Sequence, residues 1–373
     1  MIAPPFPQPY PDPGRERVAE PGVELGIAVV GLGRWGSKLA SALTNVPGLR
    51  ISALCDPDDA RRQLAFAALG PASRQAVALS HLGELSLAPG VCAVVIATPP
   101  ETHARLALAA LEAGKHVLVE KPMALCEADA RAMAERARHS GLTLMVGHLL
   151  NYHLAVEQME RLVARGTLGE LRAVVAERFA PRAQAADAWW SLAPHDLSLC
   201  QRFFAAPPLV VDLRRPAPFA SDAVGRTEAV AWLRYPGARR ARLHLSHCPS
   251  RRRRSRFALL GERASLVLDD AVEGASLRSA RALGGEQIEA LLAADASPSA
   301  ALEALVPIEP SRPRSDLAVE HTPLVRQLAH FARALRGGPP PLTDADEGVA
   351  VVAALEAGER ASAAPREPAK GRG

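Results

Sequence analysis

Hydrophobic positions recur along this chain in two rhythms. Between residues 25 and 147, short apolar runs alternate with stretches whose apolar positions follow a helical period. Leu25–Val30, Ile51–Cys55, Val91–Ala97, His116–Val119 and Thr143–Val146 read as strands. Gly36–Asn45, Asp58–Leu69, Glu101–Ala113 and Glu127–Ser140 read as the helices between them. Strand–helix–strand units at this spacing make right-handed crossovers, so the strands lie parallel in a sheet covered on both faces. The pattern predicts a doubly wound, Rossmann-type α/β domain over 25–147.

From residue 148 the rhythm changes. A helix at His153–Arg165 stops at Gly166, a residue suited to a left-handed helix end. A strand at Leu171–Phe179 and a helix from about Pro194 to Phe204 follow. Next come β-like runs at Leu209–Leu213, Glu228–Tyr235, Arg242–Cys248, Ser255–Leu260 and Ala264–Leu268. Strands met without intervening helices favour antiparallel pairing, so 148–362 reads as an α+β domain with an open, largely antiparallel sheet. Two helices, Leu317–Arg336 and Asp344–Ala361, close it. Residues 273–315, rich in Ala, Pro and Ser, read as an irregular excursion; 1–24 and 363–373 read as disordered tails.

Composition narrows the classes. With 48% hydrophobic and 23% charged residues the chain is ordinarily globular. A net charge of +4 is far below that of a dedicated nucleic-acid binder. Cys55, Cys92, Cys126, Cys200 and Cys248 form no CxxC pair, which argues for free thiols in a reducing compartment and against a disulfide framework or zinc site. No apolar run reaches the roughly 18 residues of a membrane-spanning helix, and the N-terminus lacks the apolar core of a signal peptide. A cytoplasmic protein is expected, with no metal. Of 44 basic residues only Lys38, Lys115, Lys121 and Lys370 are lysines, so each lysine kept against that bias draws notice.

The first candidate site is Gly31-Leu-Gly-Arg-Trp-Gly36, which follows an apolar strand and opens a helix. In that context Gly31 permits the tight turn, Gly33 lets a pyrophosphate approach the backbone, and Gly36 allows close helix packing. Arg34 and Trp35 lie in the same loop, at a helix N-terminus that favours phosphate. Asp56 ends the next strand, placed to accept from ribose hydroxyls and to repel a 2′-phosphate. That points to NAD, while Arg61 and Arg62 leave NADP open. Thr98, Pro99 and His103 follow the next strand at the carboxyl edge of the sheet, where such sheets bind ligands. Glu120, Lys121 and Pro122 end the strand after that at the same edge, and a lysine there is costly to desolvate unless it is paired or functional.

These strings resemble the glucose–fructose oxidoreductase, inositol dehydrogenase and MocA family (Gfo/Idh/MocA), above all Ala113-Gly-Lys-His-Val-Leu-Val-Glu-Lys-Pro122. The resemblance implies that Lys121 sits beside the nicotinamide and the substrate hydroxyl, and that the peptide before Pro122 is often cis. Met145–His153 with Gly166–Leu171, Trp189–Ser198 and Pro341–Asp344 resemble the sugar and nucleotide-sugar branch. By that resemblance His195 is the acid/base partner of Lys121, and His148, Asn151, Tyr152 and Ser191 lie on the substrate side. Placed in the first turn of a helix starting near Pro194, His195 would be kept neutral by the dipole. Relatives usually carry an Asp four residues before this His; here the position is Ser191, and Asp187 and Asp196 are the nearest carboxylates.

Ser250-Arg-Arg-Arg-Arg-Ser-Arg256 reads first as a solvated strand edge, then as a counter-charge for a sugar diphosphate, and last as a nucleic-acid patch. The sequence therefore predicts an NAD(P)-dependent oxidoreductase that moves a hydride between nicotinamide and a secondary hydroxyl or ketone of a sugar, free or nucleotide-linked. The alternatives are a catalytically weakened NAD- and sugar-binding sensor of the same fold and an anion-binding module. A homo-oligomer built on the open sheet is expected, with no nucleic-acid or membrane partner.

Overall fold

The computed structural model describes residues 24–181, 187–215, 226–249, 251–269, 276–281, 286–288, 292 and 322–363. Both tails and most of the 273–315 excursion lie outside the described residues. The chain divides into two compact units, one running to Arg165 and resuming over Arg312–Val352, the other covering Gly166–Ser311 and the chain from Ala353.

In the first unit six strands pair in parallel in the order β3-β2-β1-β4-β5-β6. They are β1 (Leu25–Val30), β2 (Leu49–Cys55), β3 (Val77–Leu79), β4 (Val91–Ile96), β5 (His116–Val119) and β6 (Leu144–Val146). Four crossover helices are α1 (Arg34–Leu43), α2 (Asp59–Leu69), α3 (His103–Glu112) and α4 (Glu127–His139), and α5 (Leu154–Ala164) follows β6. Apolar residues alternate to both faces of this sheet. Ala28, Val94 and Val117 pack with Leu106 and Ala110 of α3 and Met133 of α4. Ile27, Val29 and Val95 pack with Leu39 and Leu43 of α1 and with Leu328 and Phe331 of a late helix, α7 (Pro323–Leu335). Burial on both faces explains why the strands read as near-continuous apolar runs. β3 escaped that reading because three residues are too few to show a period.

The second unit holds a seven-stranded sheet in the order β13-β12-β11-β7-β10-β9-β8. Its strands are β7 (Leu171–Phe179), β8 (Val210–Arg214), β9 (Glu228–Arg234), β10 (Arg240–Ser246), β11 (Arg254–Gly261), β12 (Ala264–Asp269) and β13 (Ser276–Arg281). All neighbours pair antiparallel except β10 and β7, which are parallel. β13 corrects the reading of 273–315 as wholly irregular: backbone pairing to β12 holds Ser276–Arg281 in the sheet although its sequence shows no apolar alternation.

One helix, α6 (Ala188–Phe204), packs on β10, β9 and β7. It begins six residues before the expected start, because the Asp187 carboxylate caps the N–H groups of Trp189 and Trp190. Pro194 therefore lies inside the helix, where it lacks an N–H. The last helix, α8 (Ala345–Ala363), supplies the Leu355 carbonyl that accepts from the buried Trp189 indole at 2.9 Å.

Candidate functional site

The Gly-rich turn separates three jobs that the motif merges. Gly31 has φ +89°, and a Cβ there would lie 2.7 Å from the Ala97 carbonyl oxygen. Gly36 has even less room: a Cβ would come within 1.7 Å of the Gly31 carbonyl oxygen. Gly33 differs from both. Its φ of −67° suits any residue, and a Cβ there would meet no protein atom within 4 Å. What that missing side chain makes room for is a cavity of about 870 Å³, which Gly33 lines with Gly31, Arg34, Trp35, Asp56, Thr98 and Pro99. No side chain caps α1 and no acidic residue occupies its first turn, so its N-terminal N–H groups and positive dipole end stay available to an anion.

Asp56 is buried and structured from two sides. Its Oδ2 accepts from the Leu32 N–H at 2.7 Å and its Oδ1 from the Asp58 N–H at 2.9 Å. A carboxylate has about four acceptor positions, so two are left for ribose hydroxyls. Arg61 reaches within 3.9 Å of Asp56 while remaining half exposed, and it lines the same cavity. Ser80, His81 and Leu82 also line the cavity, and sequence reading passed them over because they follow the unrecognised β3. These donors and acceptors fit a dinucleotide: a glycine cradle at a helix N-terminus for the pyrophosphate and a buried carboxylate for the ribose.

Gly36, His103, Glu120 and Lys121 stand outside the lining of that cavity. His103 is a clip between two loops, its Nδ1 2.8 Å from the Pro122 oxygen and its Nε2 2.9 Å from the Thr98 oxygen. Burial pushes its pKa down, against the two carbonyls, which favour the charged ring. The Lys121–Pro122 peptide is cis. Glu120 is buried, which rules out a surface pair with Lys121. Burial raises the Glu120 pKa, and the Trp35 indole, Lys121 and His148 oppose the rise. Gly147 packs against this carboxyl so closely that a Cβ would lie 2.8 Å from Oε1.

The residues placed on the substrate side divide. His148 is buried with its Nδ1 2.7 Å from Glu347 Oε2 on α8. The buried Tyr152 meets Thr343 at 3.3 Å, and the Asn151 side chain donates to the His148 oxygen at 3.4 Å. These three face the interior of the first unit. Ser191 and His195 are half-buried on α6, one helical turn apart, in the second unit. His195 is the eighth residue of α6, so the first-turn dipole expected to keep it neutral does not act there.

Neither neighbouring carboxylate stands in at Ser191. Asp196 is fully buried in a bidentate pair with Arg178, at 2.6 and 3.0 Å. Asp187 caps α6 and pairs with Arg215 and Arg226 at 3.1 and 3.0 Å. Instead, His247 lies against Ser191, Nε2 to Oγ 2.6 Å. The sequence offered no signal for this contact between residues 56 positions apart.

The arginine run is more internal than a solvated edge. Arg251 pairs with Glu228, Arg254 with Glu177 at 3.2 Å, and Arg256 with Asp269 at 2.8 Å; Arg252 and Arg253 are exposed. All five cysteines are free thiols, with burial raising the pKa of Cys55 to about 12 and that of Cys200 further. Among the described residues no His, Cys, Asp and Glu group could hold a metal ion, and no helix is long and apolar enough to cross a membrane.

The model of an oxidoreductase family with an NAD-binding Rossmann fold matches residues 25–148. The scyllo-inositol 2-dehydrogenase (NAD(+)) of Bacillus subtilis is 31% identical over 148 residues, 39% of this chain and 42% of that protein. The chain covers between 27% and 59% of the length of the curated relatives it matches. Among solved structures, a provisionally assigned oxidoreductase from Magnetospirillum magnetotacticum MS-1 aligns over 89% of this chain and 99% of its own, with TM-score 0.73 and 27% identity. UDP-N-acetylglucosamine 3-dehydrogenase from Acidithiobacillus ferrooxidans shares the fold, with TM-score 0.71 and 23% identity over 90% of this chain and 97% of its own. With its glycine cradle and its buried Asp56, the segment 25–148 is similar to the NAD-binding Rossmann domain of the Gfo/Idh/MocA oxidoreductase family, whose model matches those residues.

Proposed function

We propose that this protein is an NAD-dependent oxidoreductase that moves a hydride between the nicotinamide and a secondary hydroxyl or ketone of a sugar, with nucleotide-linked sugars the favoured class. The observation that carries the reading is Gly33, a glycine that neither its backbone angle nor its protein neighbours require, opening onto a cavity with a buried Asp56. Gly31, Gly33, Arg34 and Trp35 would hold the pyrophosphate side, Asp56 the adenosine ribose, and Thr98 and Pro99 the wall of the same cavity. Asp56 favours NAD; Arg61 is the residue through which NADP would bind.

The bound nicotinamide supplies the hydride acceptor or donor. Lys121 hydrogen-bonds the reacting oxygen and stabilises the charge that develops on it. In the second unit His195 is the group that exchanges a proton in the reaction. Glu120, which accepts from the Lys121 N–H at 3.2 Å, and His103, whose Nδ1 lies 2.8 Å from the Pro122 oxygen, hold the loop that presents Lys121. Lys121 lies in the first unit and His195 in the second. A homo-oligomer belongs to the same proposal and is checked by light scattering.

The test follows absorbance of the reduced nicotinamide with NAD or NADP across free and nucleotide-linked sugars, with Lys121→Ala alongside. Turnover of a sugar with NAD that falls by about 10²-fold or more in Lys121→Ala supports the reading. NAD binding without turnover of any sugar would support a sensor of the same fold. Turnover that survives the loss of Lys121 sinks its assigned role.

A further inference from the structure

Trp35 belongs to two places at once. Its ring lines the cavity beside Gly33 and Arg34, while its indole Nε1 is sealed from solvent and has no hydrogen-bond partner. The ring packs on the cluster that contains Leu118 of β5 and Met145 of β6. Lys38, one turn along α1, lies with its Nζ 5.8 Å from the ring centroid.

Glu120 is the matching group. It is 8% exposed, and its Oε1 likewise has no hydrogen-bond partner. Its Oε2 accepts from the Lys121 N–H at 3.2 Å, which ties the carboxyl to the backbone that carries Lys121. Gly147 closes one side so tightly that a Cβ there would lie 2.8 Å from Oε1 and 3.0 Å from Oε2. The carboxyl cannot withdraw in that direction.

The strand ends bring the two together. The Ala97 N–H donates to the Val30 oxygen at 2.8 Å, and the Glu120 N–H to the Ile96 oxygen at 2.9 Å. β1, β4 and β5 therefore end level at one edge of the sheet, with two strand spacings, about 10 Å, between the outer pair. A tryptophan after β1 and a glutamate after β5 cover that span together, and the Trp35 indole acts on the Glu120 carboxyl as a donor, favouring its charged form. A buried N–H and a buried carboxyl oxygen left unpaired each lose their hydration without return. The bond between them needs only a lone pair on Oε1, which a carboxylate and a carboxyl both supply. Donor and acceptor stand side by side with that bond unmade.

We propose that Trp35 couples the cavity to Lys121: a dinucleotide seated against the ring brings the indole N–H into a hydrogen bond with Glu120 Oε1, and Glu120 Oε2 then fixes the backbone that carries the lysine. This rests on the reading of the cavity as the dinucleotide site and of Lys121 as the group at the reacting oxygen. A ligand shifts such a pair only if it touches the two arrangements differently, and a ring that lines the cavity gives it that contact. Trp35 acts on the chemistry only through Glu120 and the Lys121 backbone, which makes it a positioning residue. Lys121 is held best once the cofactor is in place, so cofactor binding precedes productive binding of the sugar.

Indole NMR of the full chain reads the bond directly. The chain has 4 tryptophans, and the Trp35 signal is the one lost in Trp35→Phe. Saturating NAD should move that indole hydrogen clearly further downfield in the parent than in Glu120→Met, which keeps the length of the side chain and lacks the acceptor. A Trp35 signal that ignores bound NAD, or that moves as far in Glu120→Met, would overturn the coupling.

Kinetics with a turned-over sugar test the consequence for Lys121. Trp35→Phe keeps the aromatic wall and removes the N–H, so KM for NAD should change little while kcat falls by about 10- to 10²-fold. In a Glu120→Met background the same change should have no further effect. Unchanged kcat in Trp35→Phe, or a loss confined to KM for NAD, makes Trp35 a wall of the cavity and nothing more. Should Glu120→Met fail to fold, the NAD response of the parent and the kcat of Trp35→Phe still decide.

The NMR arm needs no sugar, which separates this coupling from the proposed function. If NAD does not bind, the cofactor reading fails and takes the coupling with it. If NAD binds and the Trp35 signal is silent, the coupling alone fails. If NAD binds and the signal moves with Glu120 present, the coupling holds even where no sugar is turned over.

Discussion

The backbone N–H of Leu32 donates to Asp56 Oδ2 at 2.7 Å, so the glycine turn and the carboxylate proposed to take the ribose are one structure. In the proposed function the same carboxylate would serve both the fold and the cofactor. Asp56→Ala should therefore orphan a buried N–H and remove the ribose acceptor at once. Hydrogen bonds to a charged group contribute about 1.5–3 kcal/mol, so NAD affinity should fall by about tenfold or more. Calorimetric titration with NAD and NADP checks this, and a variant that binds NAD as tightly as the parent would remove Asp56 from the cofactor site.

Gly31 and Gly33 should fail in opposite ways. Gly31→Ala places a Cβ at positive φ and against the Ala97 oxygen, so it should cost about 2 kcal/mol or more of stability. Gly33→Ala meets no protein atom and suits its backbone angle, so the unfolding midpoint should hardly move while NAD affinity falls. Denaturant unfolding beside NAD titration decides it. Loss of stability in Gly33→Ala would mean that the glycine serves the fold and not a ligand.

The strand ends that carry these candidate residues were legible in the sequence because each is local. The β1 turn, Asp56 and the Glu120–Pro122 string each follow a strand whose apolar run marks where it ends. The second unit was less legible. Pro194 read as a helix start because proline favours the first turn, yet the Asp187 cap starts α6 earlier and puts His195 at mid-helix. The Ser191–His247 contact and the covering of the first sheet by α7 join residues far apart in the chain. No period or spacing encodes such contacts, which arise only when the elements pack.

His103 gives the first unit a pH dependence whose sign is fixed. Its folded pKa lies below that of a free histidine, about 6.5, so the fold favours the neutral ring. That contribution is complete above the unfolded pKa and is lost as pH falls through the folded one. Burial lowers the pKa of His116 as well, in the same direction. Stability should thus decline as pH falls below about 6.5, and His103→Gln should flatten the decline while leaving the His116 share. Unfolding midpoints between pH 7.5 and 5 measure it; a His103→Gln slope equal to the parent's would remove His103 as a source.

Glu120 should act in the opposite sense. Its pKa is raised in the fold by burial, so the fold favours the protonated carboxyl. That contribution is complete below the unfolded pKa, about 4.3, and is lost as pH rises through the higher folded value. Glu120→Gln keeps the shape and stays uncharged, so it should stabilise the protein relative to the parent at pH 8, with the gain shrinking as pH falls towards 4.5. If the parent is the more stable at pH 8, the opposing pull of Lys121, Trp35 and His148 outweighs burial, and Glu120 is an anion held in place beside the lysine. Denaturant midpoints at several pH values distinguish the two. Activity adds a second reading, because a neutral Gln beside Lys121 withdraws an acid's negative charge from the ammonium. If Glu120 is ionised at working pH, Glu120→Gln should therefore lower the Lys121 pKa and shift the alkaline limb of kcat/KM to lower pH. If it is protonated, that limb should stay in place.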